Sequence, residues 1–189
     1  MKELAIPGVF EMTPQQFVDD RGVFVELFRS EPFTHAVGHE LPLAQANCSV
    51  SRRGVVRGIH FAQVPPGQAK YVTCVSGAIL DVVVDLRVGS PTFGGHVVVR
   101  LDAAERKAVY VPAGLGHGFV ALGDETTVMY LCAQPYNPGR EHAVNPLDPV
   151  LALPWPADLE LVLSAKDRAA PRLAEAQAAG LLPLWEGAR

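Results

Sequence analysis

The sequence predicts an all-β fold of the jelly-roll barrel type, with short helices near the N-terminus and at the C-terminus. Short runs rich in Val, Ile, Tyr and Phe follow one another through the middle of the chain, which is typical of strands. Turn signals that contain Gly and Pro, such as Pro65-Pro66-Gly67 and Gly89-Ser90-Pro91, separate these runs. Many short strands at this spacing indicate a sandwich or a barrel.

The predicted strands are bounded by turn residues, and most need no further comment. The run from Ile79 to Leu86 is different, because Asp81 and Asp85 interrupt its alternation, as in a strand beside a polar cavity. In chain order, the predicted strands are Gly22–Phe28, Leu43–Ser51, Val55–Phe61, Gln68–Ser76, Ile79–Leu86, His96–Leu101, Lys107–Val111, Gly118–Ala121 and Thr126–Ala133.

Short helices are predicted on both sides of the strand series. Ser30 is expected to cap the first helix, which ends at Gly38. Pro171 is expected to open the second, which runs through Arg172–Ala179 and stops at Gly180. The tail that follows is too apolar to lie free in solvent, so we expect it to pack on the barrel or across a subunit interface. Its apolar residues are Leu181, Leu182, Leu184 and Trp185.

Length and composition indicate a single domain that spans residues 1–189. The chain is long enough to bury a sizeable core, and its 49% hydrophobic and 19% charged residues are typical of soluble globular proteins. We expect the core barrel at about residues 20–140 and a helical tail at about 165–189. The net charge of −4 gives no basic surface for nucleic acid or an anionic membrane, so neither partner is expected.

The cysteines and the N-terminus predict a cytoplasmic location. Cys48, Cys74 and Cys132 are an odd number without a CxxC pair, so buried free thiols are expected rather than disulfides. The first residues, Met1-Lys2-Glu3-Leu4, lack the apolar core of a signal peptide. No apolar run approaches the roughly 18 residues of a membrane span.

His60 lies in the stretch Arg57-Gly58-Ile59-His60-Phe61 and is a candidate catalytic residue. On a regular strand, Gly58 and His60 would point to the face opposite Arg57 and Ile59, unless a bulge intervenes. A glycine inside a strand often marks such a bulge or the close approach of a ligand. Taken alone, however, a strand histidine is more often a packed, hydrogen-bonded side chain.

Other polar residues also allow two interpretations. Lys70 could be an edge-strand charge, or a cation that faces a cavity and suits an anionic substrate or a developing enolate. Tyr130 would be a core aromatic by default but can donate a proton, whereas Asp167 would be a surface or capping carboxylate. One further strand has polar residues spaced by two, which could form a solvated outer face or a cavity wall. These are Gln45, Asn47, Ser49 and Ser51.

His117 ends the segment Pro112-Ala113-Gly114-Leu115-Gly116-His117, which matches the PxGxxH element of cupin barrels. The other half of a cupin metal site is an HxH pair, and the sequence contains none. A site of that kind needs about three histidines and a carboxylate around one ion. The segment therefore supports the barrel, and no metal is expected.

With these residues assembled, the sequence resembles the dTDP-4-dehydrorhamnose 3,5-epimerase family of cupin-type jelly-roll barrels. Each matching block is weak alone, but their number, order and spacing are specific, and they cover nearly the whole chain. The blocks are Asp20-Arg21-Gly22-Val23-Phe24-Val25-Glu26, Gln45-Ala46-Asn47-Cys48-Ser49, Arg57-Gly58-Ile59-His60-Phe61, Gln68-Ala69-Lys70, Asp81-Val82-Val83-Val84-Asp85, Ser90-Pro91-Thr92-Phe93-Gly94, Gly116-His117-Gly118-Phe119, Leu163-Ser164-Ala165-Lys166-Asp167 and Ala170-Pro171.

The resemblance implies a role for each candidate residue. His60 would be the general base, Asp167 the carboxylate paired with it, and Tyr130 the general acid. Lys70 would stabilise the enolate oxygen, with His117 as the second choice. Substrate contacts are implied at Arg21, Phe24, Glu26, Gln45, Asn47, Arg57, His117, Tyr136, Glu141 and Lys166.

The resemblance also implies an activity and an assembly. The reaction would invert C3 and C5 of a dTDP-4-keto-6-deoxyhexose without a metal or a nicotinamide cofactor, in a homodimer whose chains share each nucleotide site. An enzyme that inverts only C3 or only C5, in antibiotic deoxysugar biosynthesis, is the nearest alternative. A non-catalytic cupin that binds a small ligand and a metal-dependent cupin oxygenase are the others.

Overall fold

The computed structural model describes residues 1–187 and consists mostly of antiparallel strands. Its strands are β1 Lys2–Glu3, β2 Phe10–Met12, β3 Gln16–Asp19, β4 Gly22–Val25, β5 Gln45–Ser51, β6 Val56–Ala62, β7 Lys70–Ser76, β8 Ala78–Asp85, β9 His96–Asp102, β10 Ala108–Val111, β11 Leu115–Ala121, β12 Thr126–Cys132 and β13 Glu141–Ala143. Its helices are α1 Ser30–Val37, α2 Ala165–Arg168 and α3 Leu173–Ala178.

Two sheets form the body of the molecule. The six-stranded sheet has the order β1-β2-β10-β7-β12-β5, and the five-stranded sheet has the order β13-β6-β11-β8-β9. The hairpin of β3 and β4 forms a small sheet of its own. Neighbours such as β7 and β12 are far apart in sequence, as in a jelly roll, so the predicted all-β class is confirmed.

Apolar residues of both sheets fill the space between them, and further clusters cover the outer faces. The inner cluster includes Val72 and Val128 of the six-stranded sheet together with Val83 and Phe119 of the five-stranded sheet. A second cluster packs the C-terminal segment onto the outside of β6 and β8, and a third packs α1 onto the outside of the six-stranded sheet. Part of the interior near β5 and β6 is polar, and the candidate site lies there.

The predicted strands are all present, with ends that differ by a few residues, but several short elements were not predicted. The strand expected at Gly22–Phe28 ends at Val25, and the chain then leads to α1. The strands missed are β1, β2, β3 and β13, and the helix missed is α2. Each has two to four residues, too few for a periodic pattern to appear.

The predicted ends of the two helices are partly wrong. Gly38 does end α1, in a left-handed conformation with a φ of 88°, but the N-cap is Arg29 and Ser30 is already helical. At α3 the N-cap is Arg172, so Pro171 lies outside the helix. A contact from outside the helix fixes the start of α3: the side chain of Asp148 accepts a hydrogen bond from the N–H of Leu173 (2.7 Å).

The C-terminal tail packs on the barrel of its own chain. The N–H of Val88 donates to the carbonyl of Pro183 (2.8 Å), and the N–H of Trp185 donates back to Val88 (3.0 Å). The guanidinium of Arg87 lies 4.2 Å from the centre of the Trp185 ring. After α3 the described residues are not helical, in keeping with the helix end expected at Gly180, and residues 188–189 of the expected tail lie outside the described part.

Two further expectations concern the cysteines and membranes. Cys74 and Cys132 are buried free thiols, as expected, but Cys48 is exposed, because it lies on the outer face of β5. Within residues 1–187, no helix has the length and apolar character needed to cross a membrane.

Candidate active site

A cavity of about 310 Å³ opens between the two sheets and under the start of α2. It continues into a groove along β5, and the two share Arg57, His60, Lys70, Tyr130, Tyr136 and Glu141. Most of the predicted site residues therefore lie around one space. The remaining cavity residues are His117, Phe119, His142, Ser164, Lys166 and Asp167, and the groove adds Gln45, Asn47 and Gln68 among others.

A bulge in β6 explains why Arg57 and His60 both line the cavity although they are three residues apart. His60 pairs with His117 and Arg57 with Phe119, so two residues of β6 lie opposite one residue of β11. Gly58 has a φ of +128°, and a Cβ atom there would lie 2.5 Å from the Cα of Gly118. Only glycine fits at this position. The sequence left open whether the side chains alternate regularly along this strand or a bulge interrupts them, and the structure has the bulge.

His60 and Asp167 form a hydrogen-bonded pair on the cavity wall. The His60 Nε2 lies 2.6 Å from the Asp167 Oδ1, and the side chains are 36% and 5% exposed. Burial raises the pKa of Asp167, but the contacts with His60, Ser164 and the N–H of Gly58 outweigh it and hold this pKa below its ordinary value. An ionised carboxylate accepts hydrogen bonds only, so Nε2 is the donor, and in the neutral form of the ring Nδ1 carries the lone pair.

A second pair, His117 and Asp81, lies beside the first on the neighbouring strand. The His117 Nε2 is 2.7 Å from the Asp81 Oδ2, and Asp81 is 1% exposed. Its other oxygen, Oδ1, is buried without a hydrogen bond to the described residues. The prediction that β8 runs beside a polar cavity holds for Asp81, which binds His117 of the cavity wall. It does not hold for Asp85, which binds Arg87 in a turn away from the cavity.

Lys70 faces the cavity from the six-stranded sheet. Burial lowers the pKa of its ammonium, and the carboxylates of Glu141 and Asp81 offset part of this effect. None of the ion pairs within residues 1–187 involves Lys70. Its position matches the cavity-facing cation that the sequence allowed, and the ammonium can approach an oxygen of a bound molecule.

Tyr130 lies on the six-stranded sheet, across the cavity from the histidines of the five-stranded sheet. It is half-buried and stands directly opposite Asn47 of β5 in the strand register. The cavity therefore has the ring of His60 on one wall and the phenol of Tyr130 on the other. This arrangement can remove a proton from one face of a carbon and return one to the opposite face.

The polar face of β5 is turned inward, so a cavity wall is the right interpretation of its spacing. The Gln45 Nε2 donates to the Asn47 Oδ1 (2.6 Å), the Gln45 Oε1 accepts from the N–H of Tyr136 (2.8 Å), and Ser51 accepts from Arg57 Nε (3.1 Å). The opposite face of this edge strand is apolar and exposed. It consists of Ala46, Cys48 and Val50.

Three residues with implied substrate contacts lie away from the cavity within one chain. Arg21 is at the exposed end of the β3–β4 hairpin and pairs with Asp19 (2.6 Å), and Phe24 on the same hairpin is 66% exposed. Glu26 follows the hairpin and lines a different pocket, beside α1. Arg21, Phe24 and Glu26 can contact a bound substrate only in the cavity of another chain.

Sequence reasoning left out Ser164, Phe119 and His142, which also line the cavity. Ser164 had a usable signal, because a serine three residues before an acidic residue is a helix-start pattern. The five-stranded sheet brings His60 and His117 side by side, but among residues 1–187 no three or more His, Cys, Asp or Glu side chains are grouped to hold a metal ion.

Comparison with known proteins places the chain in a family. A family model described as dTDP-4-dehydrorhamnose 3,5-epimerase matches residues 3–175. A dTDP-4-dehydrorhamnose 3,5-epimerase of Mycolicibacterium smegmatis is 58% identical over 184 residues, which are 97% of this chain and 90% of the relative. A dTDP-4-dehydrorhamnose 3-epimerase of Streptomyces niveus is 57% identical over 185 residues, 98% of this chain and 89% of the relative.

Solved structures agree with this assignment. The crystal structure of a double mutant of ChmJ, a 3'-monoepimerase from Streptomyces bikiniensis, in complex with dTDP has a TM-score of 0.96 to this chain. It is 51% identical, and the match covers 98% of this chain and 94% of ChmJ. The chain therefore belongs to the dTDP-4-dehydrorhamnose 3,5-epimerase family and is an epimerase, an enzyme of the isomerase class.

Proposed function

We propose that the cavity inverts C3 and C5 of a dTDP-4-keto-6-deoxyhexose and converts dTDP-4-dehydro-6-deoxy-D-glucose to dTDP-4-dehydro-L-rhamnose. The observation that carries this proposal is one cavity with a carboxylate-bonded histidine on one wall and a phenol on the other. The protons on C3 and C5 both flank the ketone of such a sugar, so either can be removed to give an enolate. One base and one acid on opposite walls therefore suffice for both inversions.

His60 is the base in this proposal. Its Nδ1 lone pair takes the proton from C3 or C5, and the electrons of the broken C–H bond form the C=C bond of the enolate while the C4 oxygen becomes negative. The imidazolium that results is stabilised by Asp167, whose carboxylate already accepts from Nε2 at 2.6 Å. The buried, ionised state of Asp167 supports this role.

Lys70 and His117 are the groups that stabilise the enolate oxygen. An ammonium fixed in a partly dehydrated cavity stabilises a developing negative charge more strongly than it would in water. When both ring nitrogens of His117 carry a proton, Nε2 donates to Asp81 and Nδ1 can donate to the enolate oxygen. Both interactions strengthen as the charge develops, so they lower the barrier.

Tyr130 is the acid. Its phenolic proton passes to the carbon from the face opposite His60, which inverts the configuration and regenerates the ketone at C4. Tyr130 then regains a proton from solvent and His60 loses one, so the cycle consumes nothing. The half-buried position of Tyr130 on the opposite sheet supports this assignment.

The nucleotide contacts follow from charge and shape. Arg57 meets the pyrophosphate, with help from Lys166 at the mouth of the cavity, because a guanidinium binds phosphate oxygens in a forked geometry. Tyr136 offers an aromatic face to thymine. Gln45, Asn47 and Glu141 line the groove that runs from the cavity and provide further polar contacts.

We also propose a cytoplasmic homodimer in which each nucleotide site is completed by the partner. Exposed apolar side chains on the β3–β4 hairpin support this, since an isolated two-stranded hairpin is marginally stable in water. They are Phe17, Val18, Val23 and Phe24. The exposed apolar face of β5 is a second surface that another chain can cover. Arg21, Phe24 and Glu26 then contact the nucleotide in the partner's cavity.

Inversion at C3 alone is the second candidate, because the relatives of this chain include 3-epimerases. The 3-epimerase of Streptomyces niveus is 57% identical to this chain, nearly as similar as the 58% identical 3,5-epimerase of Mycolicibacterium smegmatis. Overall similarity therefore does not separate the two outcomes.

The experiment that separates them is NMR of dTDP-4-keto-6-deoxyglucose with the native enzyme in D2O, following deuterium at C3 and C5 separately. Double epimerisation predicts deuterium at both carbons and a product with both centres inverted. Deuterium at C3 alone would assign the chain to the 3-epimerases. No incorporation at either carbon would contradict both.

A further inference from the structure

Asp167, the carboxylate partner of His60, lies on a very short helix, so other residues must fix its position. Helix α2 has four residues, Ala165–Arg168, and a helix of one turn has no stability of its own in water. Yet Asp167 is 5% exposed and its Oδ1 lies 2.6 Å from His60 Nε2. The accuracy of this contact must come from residues that hold α2.

Ser164 holds the start of α2. It is the N-cap, with extended backbone angles, and its Oγ accepts a hydrogen bond from the N–H of Asp167 itself at 3.0 Å. The bond acts on the backbone of the residue whose side chain binds His60. Ser164 also lines the cavity, next to Asp167.

Ser164 supplies a cap for α2, and the side chain of Asp167 binds His60. In a capping box, the acidic residue at the third helical position turns back to the N–H of the N-cap residue. Asp167 occupies that position but binds His60 of β6 instead. At the start of α2, Ser164 therefore caps the helix, and Asp167 binds the proposed base.

The other end of α2 has its own support. Asn145 donates from Nδ2 to the carbonyl of Arg168 (3.1 Å), and its N–H donates to the carbonyl of Pro171 (2.9 Å). The loss of the Ser164 hydroxyl therefore loosens the first turn, where Asp167 lies, while the C-terminal end stays attached.

We propose that Ser164 is a positioning residue of the epimerisation, which fixes Asp167 against His60 by capping the first turn of α2. The inference rests on the proposed role of His60 as the base. Ser164 itself exchanges no proton with the substrate. Its contribution appears as the orientation of the His60 ring and the stability of the imidazolium that forms.

The test compares Ser164→Ala with Ser164→Thr, which keeps a capping hydroxyl. For Ser164→Ala we expect kcat to fall about tenfold, a part of the 10²–10⁴-fold that a general base contributes, with KM changed less than about threefold. Ser164→Thr should recover most of the loss. Ser30→Ala makes the same change at an exposed serine of α1 and should leave kcat unchanged.

The pH profile separates positioning from a general loss of stability. The acid limb of kcat/KM reports the base in the free enzyme, and a loosened carboxylate stabilises the imidazolium less, so the limb should move to lower pH in Ser164→Ala. Asp167 and Lys166 are the two on the loosened turn, and Asp167 is the one bonded to His60, among the charged and titratable groups that share the cavity with His60. These are Arg57, Lys70, His117, Tyr130, Glu141, His142, Lys166 and Asp167.

The inference is overturned if Ser164→Ala lowers the melting temperature but keeps the native kcat and acid limb, or if Ser164→Thr is as impaired as Ser164→Ala. A parallel His60→Asn variant separates this failure from that of the proposed function. If His60→Asn remains active, the proposed base is wrong; if it is inactive while Ser164→Ala behaves like the native enzyme, only the role of Ser164 is wrong.

Discussion

At the scale of single residues, Lys70 is the clearest conflict between stability and activity. Burial disfavours its charged form and lowers its pKa, and no ion pair within residues 1–187 compensates it. The use proposed for this cation is to stabilise the enolate oxygen.

Replacement of Lys70 should therefore affect the reaction and not the fold. For Lys70→Met we expect kcat to fall by about 10²–10³-fold, as for the loss of one oxyanion-stabilising donor, with the Kd for dTDP nearly unchanged. The melting temperature should not decrease, because the buried charge is removed. Steady-state kinetics, calorimetry with dTDP and thermal unfolding measure the three quantities.

The matched control for this variant is Lys2→Met, at an exposed lysine of β1 far from the cavity. It should behave like the native enzyme. A Lys70→Met variant with near-native kcat would contradict the assigned role, and so would an equal loss in both variants.

At the scale of secondary-structure elements, the alternation of residues along single strands left two questions open that only strand pairing decides. In β6 the register with β11 creates the bulge that brings Arg57 and His60 to the same wall. In β5 the polar face turns inward because β12 and the chain near Tyr136 supply hydrogen-bond partners there. Neither partner strand could be identified from the local sequence.

The β3–β4 hairpin leads to a prediction about assembly. Phe24→Asp places a charge on its exposed apolar surface, so we expect the dimer to weaken by at least about tenfold in Kd, with a parallel loss of nucleotide affinity. Light scattering after size exclusion measures the mass, and calorimetry measures dTDP binding. The control is Val150→Asp, at a residue that is 74% exposed and lies on a different loop.

Two results would count against this assembly. The first is a native protein that is monomeric at assay concentration and fully active. The second is a Phe24→Asp variant that remains dimeric and binds dTDP as the native protein does, since Phe24 would then contribute neither to the interface nor to the partner's site.

At the scale of the whole molecule, the strand order along the chain and the jelly-roll class could be predicted, because strands and turns alternate with a regular spacing. The site could be predicted only in part. His60 and Asp167 are separated by 107 residues, and α2, which carries Asp167, is too short to leave a pattern. Their roles came from a resemblance, and the contact between them depends on the packing of the C-terminal segment against β6.

The fold thus assembles the site from three distant parts of the chain: the five-stranded sheet with His60, the six-stranded sheet with Tyr130, and α2 with Asp167. Each part has a structural reason for its place, and the three line one cavity, in which Asp167 holds the Nε2 of His60 and the proposed base is its Nδ1. The central claim is that this atom removes the sugar proton.

The most direct test of that claim is exchange of the sugar C3 proton with D2O, catalysed by a His60→Asn variant with dTDP-4-keto-6-deoxyglucose. We expect exchange to fall by at least about 10²-fold, the lower range for a lost general base, while dTDP binding stays close to native. His35→Asn, at an exposed histidine of α1, should exchange at the native rate. Near-native exchange in His60→Asn would contradict the account.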